Sequence, residues 1–281
     1  MRKALAILVV FSLVSAAPAD EVVEIFYPTR DSGINQVIGW EEYTNAGAVT
    51  QCRIVKGRQH FLLMDFDWAG IKAFADGYPG WTATYELGLT PTDNRLGDYP
   101  VTARIVMIGN DVDWVEGDGA DQYTNFDWTN PTVNPAVTSQ YAQTYEDPLN
   151  PGSPDLARCI GPWPGGSFDA FRATSSYYDT GGIVFGPTHV RAWDTLDGWF
   201  MDQIFSGYDP QGYPIRGIYT YDRDNMFISG EAYTSDAGQD LSPVIRVTLV
   251  PEPASALLLA LGICAMLRRR SAQVIRRRRG E

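Results

Sequence analysis

Between Ala19 and Val250 the hydrophobic residues alternate with polar ones or form short β-branched runs, and clusters of Gly, Pro, Asn and Asp separate these runs. This pattern is typical of strands and turns, and no stretch shows the period of a long amphipathic helix. We predict two short helical turns, Asp67–Ala75 and Leu196–Phe205. The predicted strands are Val22–Tyr27, Gln51–Val55, His60–Phe66, Thr82–Leu89, Val101–Ile108, Gly182–Phe185, Val190–Trp193, Ile215–Tyr221, Met226–Ser229 and Val244–Leu249.

Alternation in Val101–Ile108 and in Val244–Leu249 indicates that one face of each strand is buried. In Val244–Leu249, polar Arg246 and Thr248 alternate with apolar residues, which predicts a half-buried strand with one wet face. About ten short strands predict an all-β fold, a jelly-roll-like antiparallel β-sandwich that forms one domain over residues 20–249. A long insertion at about 118–179 interrupts it. Five prolines there exclude a central strand, namely Pro148, Pro151, Pro154, Pro162 and Pro164.

The N-terminus has the three parts of a secretory signal. Arg2 and Lys3 precede an apolar run over Ala4–Val14, and small residues follow up to Ala19. A run of eleven residues is too short to span a bilayer, which needs about 20 apolar residues. We therefore expect signal peptidase to remove residues 1–19, with cleavage after Ala16 or after Ala19.

The C-terminus carries a second targeting pattern. Pro251-Glu252-Pro253 is followed by the uncharged run Ala254–Leu267 and then by Arg268, Arg269 and Arg270. A helix of this length covers about 21 Å, which is short of a hydrocarbon core, and the arginines favour the cytoplasmic side. This pattern predicts a targeting signal that anchors the chain only marginally, and the alternative interpretation is a simple C-terminal membrane anchor.

This order of proline motif, short apolar helix and arginine cluster resembles the PEP-CTERM sorting signal of bacterial exported proteins. The resemblance implies that an exosortase-type membrane protease is a partner, and that the chain is anchored transiently before it reaches the cell surface or the medium. It also implies an association with exopolysaccharide, biofilm and extracellular matrix.

Charge excludes one class of partner. The chain has 22 basic and 34 acidic residues, and residues 20–250 hold 13 of the basic and 32 of the acidic ones. A strongly negative body repels phosphate backbones, so the sequence excludes nucleic-acid binding.

Three cysteines are present, and Cys264 falls in the apolar run at the C-terminus. Export allows Cys52 and Cys159 to form a disulfide, and two thiols are the alternative that the sequence leaves open. Two His and these two Cys lack metal-ligand spacing, which argues against zinc.

The body of the chain resembles DNRLRE-type domains, which are related to the disaggregatase repeat and to some carbohydrate-binding modules. The similar segments are His60–Ile71, Trp81–Leu89, Trp114-Val115-Glu116-Gly117, Ile228–Glu231 and Ser242–Leu249. The resemblance spans roughly residues 22–249 and departs from the family at Gln59-His60 and in the long insertion. It implies a jelly-roll sandwich with roles in carbohydrate binding and surface attachment.

An acidic stretch offers oxygen ligands for calcium. Five carboxylates lie within eleven residues that also include glycines, and calcium takes six to eight hard oxygens from flexible loops. The stretch does not have the EF-hand pattern, and a solvated acidic loop is the alternative. The candidate ligands are Asp111, Asp113, Glu116, Asp118 and Asp121.

Sugar binding needs exposed aromatic rings with polar groups beside them. The candidates are the loop aromatics Trp128, Trp163, Tyr177 and Tyr178, whereas Trp81 and Trp193 are expected in the core.

No catalytic motif is present: the chain lacks G-x-S-x-G, H-E-x-x-H, the P-loop and G-x-G-x-x-G. His60 and His189 lie in or beside predicted strands and are interpreted as structural. We therefore predict a non-enzymatic, surface-sorted polysaccharide-binding or matrix protein without catalytic residues. The alternatives are a polysaccharide-active lyase or hydrolase and a purely structural surface protein.

Overall fold

The structure, a computed structural model, describes residues 20–35, 45–55, 60–92, 102–117, 141–143, 157–162, 182–187, 189–222 and 229–252. These residues divide into two compact units. The larger consists of residues within 24–73 and 85–247, and the smaller contains residues 20–23, 74–84 and 248–252.

Strands dominate the described part of the chain. The strands are β1 (Val22–Phe26), β2 (Pro28–Asn35), β3 (Asn45–Ala46), β4 (Gln51–Val55), β5 (His60–Phe66), β6 (Trp81–Leu89), β7 (Thr102–Gly109), β8 (Tyr141–Gln143), β9 (Ile160–Pro162), β10 (Ile183–Val184), β11 (Ala192–Leu196), β12 (Ile215–Asp222), β13 (Ser229–Tyr233) and β14 (Val244–Pro251). The helices are α1 (Trp68–Asp76) and α2 (Gly198–Ser206), with a 3-10 turn at Ser235–Ala237.

The strands form antiparallel sheets, which confirms the all-β prediction. One sheet has the order β1-β14-β6-β11. The second runs β10-β7-β12-β5-β2-β3, with β4 paired to both β5 and β13, and a small third sheet joins β8 to β9. The strand β12 lies between β5 and β7, antiparallel to each.

The predicted strand bounds agree with several observed ones. Strands β4 and β5 have the predicted ends, and β6, β7, β11 and β12 begin or end within three residues of them. The predicted run Met226–Ser229 meets β13 only at Ser229, because residues 223–228 lie outside the described part.

Strand β2 was not predicted. Its sequence PTRDSGIN has one aliphatic residue, yet it pairs with β5 from Pro28 to Asn35. Asp31 and Ser32 in it are fully buried. Pairing with a hydrophobic neighbour therefore imposes the strand where local pattern does not, since β-propensity depends strongly on tertiary context.

Both helices begin at capping aspartates. The Asp197 carboxylate accepts a hydrogen bond of 2.7 Å from the Phe200 amide at the start of α2, and Asp67 accepts one of 2.9 Å from Gly70 before α1. Helix α2 ends at Gly207, whose φ of 79° is the left-handed conformation typical of a C-terminal cap.

The core of the larger unit lies along β5, β7 and β12. Leu62, Leu63 and Met64 of β5 are all fully buried, so this central strand is covered on both faces. In β14, Ile245, Val247 and Leu249 are buried while Arg246 and Thr248 are partly exposed, which confirms the predicted wet face.

The prediction that Trp81 and Trp193 lie in the core was wrong. Trp81 and Trp193 are both partly exposed, and the most buried tryptophan of the described chain is Trp114, at 1% exposure. Trp81 instead packs against Tyr78 in the smaller unit, with ring centroids 5.2 Å apart.

Candidate functional site

Trp193 is a partly exposed residue of β11, which pairs with β6 in the four-stranded sheet. Its cross-strand partner on β6 is Gly88. A Cβ at Gly88 would stand 2.6 Å from Cζ3 of Trp193 and 2.8 Å from Cδ of Arg191. The missing side chain therefore leaves the space in which the indole and the arginine stem rest on the strand. A glycine inside a strand commonly marks such a close approach.

A second arginine stacks on the same indole. The Arg246 guanidinium carbon lies 4.0 Å from the centroid of the Trp193 ring, a cation–π distance. Arg246 is fixed by Glu86 of β6, since Nε and Nη2 each lie 2.7 Å from Oε2 of Glu86. Glu86 thus orients the guanidinium that covers the ring.

Arg191 flanks the ring from another direction. Its guanidinium carbon is 5.9 Å from the Trp193 centroid. Its Nη2 donates to the backbone oxygens of Asp240 and Ser242 at 2.8 and 2.9 Å, and Nε donates to the Thr90 hydroxyl at 3.3 Å. Burial lowers the pKa of Arg191, against the raising effects of Tyr27 and Asp240. The fixed geometry makes Arg191 a preorganised donor.

We call Trp193, Arg191, Arg246, Glu86 and Gly88 the Trp193 platform. Within the described residues, the Nη1 groups of both arginines have no protein hydrogen-bond partner. The platform therefore presents a partly exposed aromatic ring between two guanidinium groups, each with a donor that no described residue accepts from. Such a ring can pack against an apolar face of a ligand while the donors bind hydroxyl or carboxylate oxygens.

A separate group of side chains around Arg30 of β2 braces the fold. Nη2 of Arg30 lies 2.8 Å from Oδ2 of Asp65 and 2.7 Å from Oδ1 of Asp113, while Nη1 donates to the Trp114 carbonyl. The guanidinium also stacks 4.1 Å from the Trp114 ring centroid. Asp65 in turn accepts from the Trp68 indole nitrogen at 3.0 Å. Burial raises the pKa of Asp65, although Arg30 acts against that shift.

Asp31, the residue after Arg30 in β2, is influenced by two other carboxylates, Glu116 and Asp236. Its oxygens accept from the Ser235 amide at 2.7 Å and the Ser235 hydroxyl at 3.1 Å, and its own amide donates to Oε1 of Glu116 at 2.9 Å. Burial raises the pKa of Asp31 to about 7; the Ser235 hydrogen bonds lower it, and the charges of Glu116 and Asp236 raise it further. Burial also raises the pKa of Glu116 and of Asp236.

The candidate calcium ligands do not converge where the structure describes them. Asp113 is paired with Arg30, and Glu116 accepts the Asp31 amide. Asp118 and Asp121 lie outside the described residues, as do all four predicted sugar-binding aromatics, Trp128, Trp163, Tyr177 and Tyr178. In the described ranges, no three acidic, His or Cys side chains come together in a group that could hold a metal ion.

Cys52 is buried in β4 and Cys159 is partly exposed, and the structure contains both as thiols, with no bond between them. Burial raises the pKa of the Cys52 thiol, and the charges of Asp31 and Glu231 add to this effect.

The sorting motif is described only at its start. Pro251 is the last residue of β14, and the Glu252 amide donates to the Gly80 carbonyl at 3.4 Å. Pro253, the run Ala254–Leu267 and Arg268, Arg269 and Arg270 lie outside the described residues, as do residues 1–19. Across the ranges that are described, no helix is both long and apolar enough to cross a membrane.

No protein-family model matches the chain, and no curated protein matches it. The resemblances to PEP-CTERM and DNRLRE-type proteins therefore stay predictions from the sequence.

Sequence reasoning missed the Trp193 platform because it assigned Trp193 to the core. One signal was available in advance: Gly88 interrupts the otherwise bulky run WTATYELGL of β6. A glycine there indicates that a neighbouring side chain crosses the strand.

Proposed function

We propose that the protein is an exported, surface-sorted and non-enzymatic jelly-roll protein whose body binds polysaccharide through the Trp193 platform. One observation carries the binding proposal. Trp193 is partly exposed, rests over Gly88, and is flanked by guanidinium groups 4.0 and 5.9 Å from its centroid.

The chemistry of a sugar matches this arrangement. A pyranose has an apolar face of C–H groups and a rim of hydroxyls. The part of the indole that stays exposed beside the stacked Arg246 guanidinium provides the apolar surface, and the Nη1 groups of Arg191 and Arg246 provide hydrogen-bond donors beside it. Because hydrogen bonds and the Glu86 ion pair already hold both arginines, a ligand loses little affinity to ordering them.

The binding experiment is a glycan array probed with the purified full chain and with Trp193→Ala. We expect retention of at least one polysaccharide by the parent protein and its loss in the variant. Trp199→Ala is the matched control, because Trp199 is also exposed, at 46%, but lies on α2. Equal retention by parent and Trp193→Ala would show that the platform is not the binding site.

The same polysaccharides test the enzymatic alternative. After prolonged incubation with the full chain, a non-enzymatic protein releases no new reducing ends and no unsaturated products. Sustained product release above that of a heat-denatured sample would replace the binding proposal with a lyase or hydrolase.

The sorting proposal rests on the two terminal sequence patterns. Signal peptidase and an exosortase-type protease are the proposed partners, and the cell surface or the medium is the proposed location. Mass spectrometry of the protein recovered from its host should find both ends trimmed, with the N-terminus at Ala17 or Asp20. Replacing Pro251, Glu252 and Pro253 by alanine should leave the C-terminus intact. A parent protein of full mass in the cytosol would contradict the proposal.

A further inference from the structure

An aromatic pair, His189 and Tyr233, lies near the Trp193 platform. His189 is exposed, and its Nδ1 lies 3.3 Å from the Tyr233 hydroxyl, with ring centroids 5.7 Å apart and an interplanar angle of 37°. His189 has a φ of 57°, the only positive value of a non-glycine residue in the described chain. This left-handed backbone is costly for a residue with a Cβ and persists only where the surroundings hold it.

Thr90 and Pro91 connect this pair with the platform. The Thr90 hydroxyl accepts from Nε of Arg191 at 3.3 Å, and the Thr90 carbonyl accepts from the Tyr233 amide at 3.0 Å. The Pro91 carbonyl accepts from the His189 amide at 3.0 Å. The two groups of side chains therefore share one support at the end of β6.

An exposed tyrosine contributes to the electrostatic environment of Arg191. Tyr27 interacts electrostatically with Arg191 and is 41% exposed. Arg191 thus lies between the Trp193 ring and the Thr90 support of the His189–Tyr233 pair. Trp193 follows His189 by four positions in the chain, so their Cα atoms lie at most about 14 Å apart.

We infer that the His189–Tyr233 pair and the Trp193 platform are two subsites of one extended surface that binds several consecutive sugar units inside a glycan chain. This inference rests on the proposed polysaccharide binding and deepens it. A single sugar covers one aromatic group, whereas a chain that runs past Arg191 contacts both. Affinity therefore rises with chain length, and the His189–Tyr233 subsite contributes only to the longer ligands.

The test measures affinity by isothermal titration for oligosaccharide ladders of one to six units. The probes are β-1,4-linked glucose, β-1,4-linked mannose and α-1,4-linked galacturonate, titrated into the full chain. His189→Gly removes the imidazole and suits the backbone, since glycine adopts positive φ without strain. We expect this variant to weaken binding of the hexamer about tenfold, equivalent to about 1.4 kcal/mol, and to leave the dimer within about twofold.

Two further variants separate the subsites. Trp193→Ala should weaken dimer and hexamer alike, because it removes the platform itself. Val190→Ala is the matched control, since Val190 is adjacent in the chain and 56% exposed, and it should change neither affinity.

The outcomes distinguish the two proposals. If dimer and hexamer bind equally well and both depend on Trp193, polysaccharide binding stands and the extended surface is refuted. An unchanged hexamer affinity in His189→Gly refutes the second subsite. If none of the probes binds, polysaccharide binding at the platform is wrong for these ligands, and the extended surface is refuted with it.

Discussion

Substituting Asp31 with asparagine should change how stability depends on pH. Asp31 is fully buried in β2, and its pKa is raised from 3.8 to about 7, first by burial and further by the charges of Glu116 and Asp236. An asparagine of the same shape cannot ionise, so it removes this titration while it keeps one side-chain oxygen for Ser235.

The expected size of the stability change follows from the difference between the pKa of Asp31 in the folded and in the unfolded state. Folding raises the pKa of Asp31, so the folded state holds a proton that the unfolded chain releases between about pH 4 and 7. The contribution of Asp31 to the free energy of unfolding is therefore fully present below about pH 4 and is lost as pH rises through about 7. A shift of about three pKa units is worth roughly 4 kcal/mol. Asparagine gives up one of the two hydrogen bonds from Ser235, a cost of about 1 kcal/mol.

The two stability curves should consequently cross. Near pH 4 the parent protein is the more stable by about 1 kcal/mol, and near pH 8 Asp31→Asn is the more stable by up to about 3 kcal/mol. Urea unfolding of the full chain at half-unit steps from pH 4 to 8.5 measures both curves. Asp202→Asn, which changes an exposed carboxylate on α2, should parallel the parent. Parallel curves for Asp31→Asn and the parent would refute the idea that Asp31 is protonated by burial.

Three more substitutions test the site and its supports. Gly88→Ala should reduce glycan retention at least as far as Arg246→Ala does, because the added Cβ at 2.6 Å displaces the Trp193 ring; retention at the parent level would contradict the proposed role of Gly88. Arg30→Met should lower the free energy of unfolding by about 3 kcal/mol, since it leaves the partly buried Asp65 without its cation, and a urea midpoint equal to the parent's would disprove it. Asp197→Ala should cost about 1 kcal/mol through loss of the α2 cap, and thermal melting checks this against Asp197→Asn, which retains capping ability.

Local sequence pattern was enough to predict secondary structure where it agrees with the tertiary environment of the segment. Strands β4 and β5 have the bounds that alternation predicted, and α1 and α2 lie within one or two residues of the predicted helical turns. Capping aspartates at 67 and 197 supply a local reason for those two helices. These features depend on interactions between residues close in the chain, which is why the sequence alone could predict them.

Which face of a strand is buried depends on the packing of the folded chain. A period of two shows that Arg191 and Trp193 share a side, but it does not show whether that side meets a core or solvent. The position of β11 beside β6 placed Trp193 over Gly88 and within 4.0 Å of the guanidinium of Arg246, which lies 53 residues further along the chain. The strand β2 likewise exists because β5 supplies hydrogen bonds for its polar sequence.

Clusters that join distant segments were equally beyond the sequence. Arg30 meets Asp65 and Asp113 across 35 and 83 positions, and no local pattern encodes such a meeting. The composition shows that residues 20–250 are acidic, with 13 basic residues against 32 acidic ones. Only the folded chain brings two of those few cations to one indole ring, because sheet order and register, rather than propensity, determine which side chains become neighbours.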